Sequence, residues 1–289
     1  MRVLVTGAGG LLGTAIVREF SGVSEVLPLD HAALDIADDA AVAAAMARHR
    51  PDLVINCAAS NGVDAMQDQP AAAFRVNAMG VLGLARATAE AGATLVHYST
   101  DFVFDGETDR PYTEADDPNP RSVYGTSKLL GDWFALGHPR GYVLRVESLF
   151  GEPADGDTRR GSLATIVNGI EEGAEVPVFV DRTVSPSYTP DVARATRQLV
   201  EIGVPRGLYH CVNSGLATWK EVADEASRLL GRTLRAKPLT LATAGLKAPR
   251  PRYCALSNAR LQQVGIVMPD WRDAFRRYLQ TLHDRRKAR

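Results

Sequence analysis

Two periodicities organise the first half of the chain. Short apolar-rich runs occur at Arg2–Thr6, Glu25–Asp30, Leu53–Ala59, Ala93–Tyr98 and Tyr142–Val146; each reads as a strand, the first of the kind expected buried in a parallel sheet. Between them lie longer stretches with helical spacing: Thr14–Phe20, the alanine-rich Asp38–Arg50 stopped by Pro51, Pro70–Gly92, and the segment after Ser122. Strands alternating with helices in this way predict an α/β protein with a doubly wound parallel sheet. Beyond Phe150-Gly151 the pattern loosens. Glu152–Arg160 is polar and reads as a loop, Leu163–Glu172 as a helix, Val176–Val180 as a strand and Pro190–Ile202 as a helix. Gly207–Val212 reads as a strand returning to the main sheet. Thr218–Leu230, Leu256–Val264 and Asp270–Leu282 read as amphipathic helices, and Gly245–Arg252 as an irregular link. The expected organisation is a nucleotide-binding domain over 1–151, rejoined by 181–213. A smaller C-terminal α/β substrate-binding domain is expected from 152–180 and 214–289.

The first strand runs into Gly7-Ala8-Gly9-Gly10-Leu11-Leu12-Gly13 and then a helix. In that context glycines at 7, 10 and 13 allow a tight turn and a close approach to a pyrophosphate. The helix start, with Leu11 and Leu12, offers free N–H groups to the anion. This makes the sheet Rossmann-type, the alternative being a purely structural turn. Asp30 ends the second strand, where a carboxylate accepts hydrogen bonds from an adenosine ribose and repels a 2′-phosphate. It leans the choice between NADH and NADPH towards NADH, unless it is an ordinary turn residue. Asp35 and Ile36 are placed to flank the adenine, and the small Cys57, Ala58 and Ala59 let a cofactor lie against the third strand. Asn77, among apolar neighbours, is either a structural clip or part of a water and proton relay.

Hydroxyls at the end of the fourth strand, Ser99 and Thr100, stand where open α/β sheets bind ligands. His97 reads as a satisfied strand histidine. The loop Phe102–Gly106 is apolar where a turn should be polar, so it is either covered or faces substrate; Asp101, Val103 and Phe104 are substrate candidates on the second reading. Next come Tyr124 and Lys128, four residues apart and therefore on one helix face. An ammonium about 4 Å from a phenol stabilises its anion by about 4 kcal/mol, enough to make it a proton donor near neutral pH. Leu130, Trp133 and Phe134 are expected to pack inward.

Composition narrows the partners. With 33 basic and 34 acidic residues the net charge is −1, so no basic field recruits nucleic acid or an anionic membrane. The basic tail His283–Arg289 reads as a frayed, solvated end. Cys57, Cys211 and Cys254 cannot all pair and lack metal-site spacing, so no metal is expected, and Cys57 reads as a small buried hydrophobe. No signal-peptide pattern or membrane-length apolar run occurs, and a soluble, cytoplasmic protein is expected.

Over nearly its whole length the chain resembles the extended short-chain dehydrogenase/reductases, and within them the dTDP-4-dehydrorhamnose reductase family and its sugar-nucleotide-binding relatives. The resemblance rests on Thr6–Gly13, Pro51–Asn56, Val76-Asn77-Ala78, Tyr98–Gly106, Tyr124–Leu129, Gly207–His210 and Pro249-Arg250-Pro251. The Ser99–Gly106 stretch is the most specific of these. The resemblance implies a catalytic trio of Thr100, Tyr124 and Lys128, with Tyr124 and Lys128 also meeting the cofactor. It implies reduction of the C4 ketone of a nucleotide-linked 4-dehydro-6-deoxyhexose with NADH or NADPH, and a homodimer is common among such relatives. Three departures fall near the expected substrate: Ser60–Asp64 after the third strand, Ser148 where relatives place a tryptophan, and Asp181–Ser187, which brings Arg182 and Pro186 to the substrate side. Arg182 is suited either to a diphosphate or to open solvent. The alternatives are a same-fold reductase or epimerase on another substrate, and a non-catalytic nucleotide-binding regulatory subunit.

Overall fold

The computed structural model describes residues 1–152 and 161–287, so most of the Glu152–Arg160 loop expectation and the last two residues of the basic tail lie outside it. Its centre is a six-stranded sheet with β1 (Arg2–Thr6), β2 (Glu25–Leu29), β3 (Leu53–Asn56), β4 (Thr94–Thr100) and β5 (Gly141–Val146). All pairings in it are parallel. Side chains alternate between two buried faces: Val3 and Val5 point into one apolar cluster and Leu4 into the other, and Leu53 and Ile55 oppose Val54 likewise.

Helices cover both faces. On one lie α1 (Leu11–Ser21) and the later helix spanning Thr189–Ile202. On the other lies α2 (Asp39–His49), capped by Asp38, whose carboxylate accepts from the Ala41 N–H at 3.0 Å. Between β3 and β4 the chain forms α3 (Val63–Asp68), α4 (Pro70–Phe74), a π-helical stretch at Arg75–Gly80 and α5 (Val81–Glu90). The expected single helix from Pro70 to Gly92 is therefore interrupted, and Asn77 sits in the wider π turn. Between β4 and β5 runs α6 (Val123–Leu136), capped by Ser122 Oγ, which accepts from the Gly125 N–H at 3.1 Å. Its inward face is Tyr124, Gly125, Ser127, Lys128, Leu129, Gly131, Asp132 and Ala135. Trp133, expected inside, is 56% exposed.

The second half contributes β6 (Leu149–Phe150), α7 (Ser162–Glu172), β7 (Glu175–Phe179), β8 (Thr183–Val184), β9 (Ser187–Tyr188) and α8 (Thr189–Ile202). Then come β10 (Gly207–His210), β11 (Ala217–Thr218), α9 (Trp219–Leu230), β12 (Arg235–Leu239), α10 (Ala259–Gln263) and α11 (Trp271–Lys287). As the pattern predicted, β10 returns to the main sheet and pairs with β5, giving the order β10-β5-β4-β3-β1-β2. A separate apolar cluster joins α7, β7, α9 and α11 around Trp271 and Phe275. The helix expected over Leu256–Val264 shrinks to the five residues of α10, because Tyr112 N–H bonds Ala255 O and Ser257 N–H bonds Tyr112 O. The basic tail is helical as far as Lys287, and Arg285 pairs with Glu152 at 2.8 Å. Among the described residues no helix is long and apolar enough to cross a membrane.

Candidate active site

The sheet order reverses at β1 and β3: the chain leaves β1 for β2 on one side and later returns to β3 on the other. Helices there cross to opposite faces and open a crevice at the strands' carboxyl ends. The glycine turn after β1 forms one wall. Gly7 has φ +62°, and a Cβ on it would lie 2.7 Å from the backbone of Cys57 and Ala58. A Cβ on Gly13 would lie 2.3 Å from Gly7 O. Both glycines are thus needed for the turn to press against β3 and for α1 to start where it does. No side chain caps α1 at Gly10, which leaves its first N–H groups directed into the crevice. A dinucleotide's pyrophosphate fits this cradle.

The crevice has two lobes. One, of about 570 Å³, is lined by Gly7, Gly9, Gly10, Asp30, Asp35, Ile36 and Cys57–Ala59, with Asn61 and Val76. Its wall carries two acids and one histidine, His31, and neither lysine nor arginine. Asp30 accepts from the Ala33 N–H at 2.9 Å, and Asp35 is paired with Arg75 at 3.2 Å. Cys57 lines both lobes, half-buried, and burial pushes its thiol well up. The other lobe, of about 360 Å³, runs from Gly10–Gly13, with Leu11 and Leu12, past Cys57–Ala59 to Thr100, Asp101, Tyr124, Lys128, Glu147 and Ser148. Three expected catalytic residues from β4 and α6 therefore meet beside the glycine turn.

Their contacts differ in part from the expectation. Lys128 Nζ donates to Tyr98 O at 2.6 Å and lies 3.5 Å from His97 Nε2. Burial lowers its pKa to about 8, with Asp132 and Cys57 opposing. Tyr124 is pushed the other way: burial raises its phenol, the adjacent Thr100 hydroxyl opposes, and the Asp101 and Asp132 charges reinforce. The phenol is therefore a protonated donor rather than a group brought near neutrality by Lys128. Phe102 packs edge-on against its ring, with centroids 5.5 Å apart. His97 is fully buried and held neutral by burial and the nearby Lys128 charge, with Nδ1 facing Asn56 Nδ2 at 3.0 Å. It is the satisfied strand histidine expected.

Asn77 has the contacts of a clip. Its Oδ1 accepts from the Ser60 N–H at 2.8 Å, and its Nδ2 donates to Ser60 O at 3.0 Å and Ser127 Oγ at 3.1 Å, tying the loop after β3 to α6. Val103 and Phe104, taken as substrate candidates, point away from the crevice. Both are buried in a small core with Tyr112, Leu129, Val212 and Leu256, and Phe104 stacks on Tyr112 at 4.1 Å. The covered reading holds for Val103 and Phe104, while Asp101 and Phe102 line the catalytic lobe. Pro186 is buried and lines none of the described cavities.

Arg182 is half-buried. It turns inward, with Nε donating to Pro251 O at 3.2 Å and Nη2 to Cys254 Sγ at 3.1 Å. Beside it Asp101, Glu147 and Cys254 bring ligand-type atoms within 4.8 Å of one another, all three residues buried. The Arg182 guanidinium adjoins this group. Glu147 was not foreseen; the one available signal was an acid directly after the fifth strand. Ser148 lines the crevice with φ +44°, a strained conformation for a serine.

The family model for the RmlD substrate binding domain matches residues 1–284. The chain belongs to that family. It is 37% identical over 283 residues to a dTDP-4-dehydrorhamnose reductase of Streptomyces griseus, covering 94% of this chain and 91% of that one. The crystal structure of a dTDP-4-dehydrorhamnose reductase from Clostridium acetobutylicum superposes with a TM-score of 0.92 at 34% identity, covering 98% and 100% of the two chains. The same enzyme from Bacillus anthracis, solved in complex with NADP, gives 0.91 at 29% identity, covering 97% and 99%. Within this RmlD-family chain the glycine cradle and the Thr100, Tyr124 and Lys128 grouping form one crevice, and a nicotinamide cofactor is the group it suits.

Proposed function

We propose that the protein is a reductase that uses a reduced nicotinamide cofactor on the C4 ketone of a nucleotide-linked 4-dehydro-6-deoxyhexose, dTDP-4-dehydrorhamnose or a close relative. The observation that carries this is the meeting of Thr100, Tyr124 and Lys128 in the lobe that begins at the uncapped start of α1. When bound, the cofactor supplies the hydride. Thr100 donates a hydrogen bond to the ketone oxygen, where negative charge develops. Tyr124, kept protonated by burial, passes its proton to that oxygen. Lys128, fixed to β4 through Tyr98 O, is within the same lobe and holds the nicotinamide ribose hydroxyls.

In this reading residues 1–151, with 181–213 returning, hold the cofactor, and 152–180 with 214–289 hold the sugar nucleotide. NADH is the preferred cofactor: Asp30 and Asp35 line the outer lobe, and its wall carries no lysine or arginine to receive a 2′-phosphate. The diphosphate lies towards Arg250 and Arg252, which line a broader cavity of about 1200 Å³ with Arg121 and Tyr253. Arg250 is stacked 5.8 Å from the Phe102 ring and so borders the catalytic lobe. The test is substrate-dependent loss of reduced-nicotinamide absorbance. A protein that instead retains oxidised cofactor and consumes none is an epimerase.

A further inference from the structure

We propose that Asp101 and Glu147 share one proton, and that this proton keeps the Thr100 hydroxyl free to donate to the substrate ketone. Glu147 is then a positioning residue for the reduction, acting through Asp101. The inference rests on the reductase reading above.

A threonine hydroxyl has one proton to donate. In this structure Thr100 Oγ1 donates it to Asp101 Oδ1 at 3.0 Å. If Asp101 is ionised, that bond is charge-assisted and roughly twice as strong as a neutral one, and it holds the proton away from the ketone. An ionised Asp101 also places negative charge beside the oxygen that must become negative. A neutral Asp101 weakens the first obstacle and removes the second, whichever of its oxygens carries the proton.

The surroundings favour the neutral form. Facing Asp101 are Thr100 from β4, Tyr124 from α6, Glu147 after β5, Arg182 before β8, and Cys254 from the C-terminal link. Asp101 Oδ2 is buried without a hydrogen-bond partner. An ionised oxygen left so would be costly. Glu147 is 2% exposed and already engaged: Ser148 Oγ donates to its Oε1 at 3.0 Å, and the Ser185 N–H donates to Oε2. The strained Ser148 backbone holds that arrangement, its carbonyl accepting from the Ser187 N–H at 3.3 Å. Arg182 is the adjacent cation, and its guanidinium bonds go to Pro251 O and Cys254 Sγ. Two buried carboxylates with oxygens within 4.8 Å titrate as a pair, the loss of one proton making the other harder to remove. Burial pushes Asp101 up to about 6, against the Arg182 charge, and burial with the Asp101 charge pushes Glu147 well above its ordinary value.

The experiment compares the pH dependence of ketone reduction in the wild type, Glu147→Gln and Asp101→Asn, with infrared difference spectra of the resting proteins. In the wild type the rate falls as the pair loses its shared proton. Removing the Glu147 charge lowers the titration of Asp101, so in Glu147→Gln this limb moves to lower pH by about one unit or more. In Asp101→Asn the limb vanishes, because the amide is neutral throughout; a limb from Lys128 is common to all three. The wild type minus Asp101→Asn spectrum below pH 6, where Asp101 holds its proton, contains a protonated-carboxyl carbonyl band. Coincident pH profiles, or no such band, would overturn the inference. The band needs no substrate. If it is present while no nucleotide-linked ketone is reduced, the reductase reading falls and the shared proton stands.

Discussion

Lys128 Nζ donates to the main-chain carbonyl of Tyr98 at 2.6 Å, so the ammonium is anchored to β4 rather than to the phenol one helical turn before it. The anchor continues through the sheet. His97 Nε2 lies 3.5 Å from the same nitrogen, His97 Nδ1 faces Asn56 Nδ2 at 3.0 Å, and Asn56 Oδ1 accepts from Thr6 Oγ1 at 2.7 Å. This buried chain crosses β4, β3 and β1 and fixes the rotation of α6. With α6 so held, Tyr124 stands beside Thr100.

The division of labour can be tested at the phenol. Tyr124→Phe keeps the ring packed against Phe102 but removes the acid. Turnover is expected to fall by about 10²–10⁴-fold with cofactor affinity retained, as read by steady-state kinetics beside a fluorescence titration of the reduced cofactor. Unchanged turnover would remove Tyr124 from the mechanism.

The buried ammonium carries a pH signature in stability. Its folded pKa of about 8 lies below the ordinary 10.5. Below about 8 both states hold the proton and the cost of the buried charge is present in full. Between about 8 and 10.5 the unfolded chain holds more protons than the folded one, so stability rises with pH and the cost fades. Lys128→Met is therefore expected to be more stable than the wild type at neutral pH, by at most about 3 kcal/mol. That advantage should shrink as pH rises through this window. Urea unfolding of both proteins across it gives the answer; an advantage that grows with pH contradicts the assignment.

In the proposed reading Asp30 sets the cofactor choice. Its replacement by alanine should narrow the preference for NADH over NADPH by about tenfold, through relief of repulsion on the 2′-phosphate. Binding titrations with both cofactors measure the ratio. If the wild type already prefers NADPH, Asp30 does not set the choice.

The fold was legible because β1, β3, β4 and β5 are buried on both faces and its glycines have a steric reason to be where they are. Leu4 between Val3 and Val5 shows why no polar alternation marked those strands. The crevice was legible at Gly7, Gly13, Thr100, Tyr124 and Lys128, whose spacing is local. What escaped depends on contacts distant in sequence. Phe104 is covered by Tyr112, Val212 and Leu256, so its apolar character reflects a core and not a ligand. Glu147 and Arg182 come together only when the turn before β8 folds back over the end of β5, and neither has meaning alone. The interruption at Arg75–Gly80 has no proline to mark it.

The most direct test follows the absorbance of NADH, and separately of NADPH, with dTDP-4-dehydro-6-deoxyhexose formed in situ by a 3,5-epimerase, beside a control without epimerase. The account predicts stoichiometric oxidation of the reduced cofactor, faster with NADH. Tight binding of either cofactor with no oxidation in the presence of the 4-keto sugar nucleotide would contradict it.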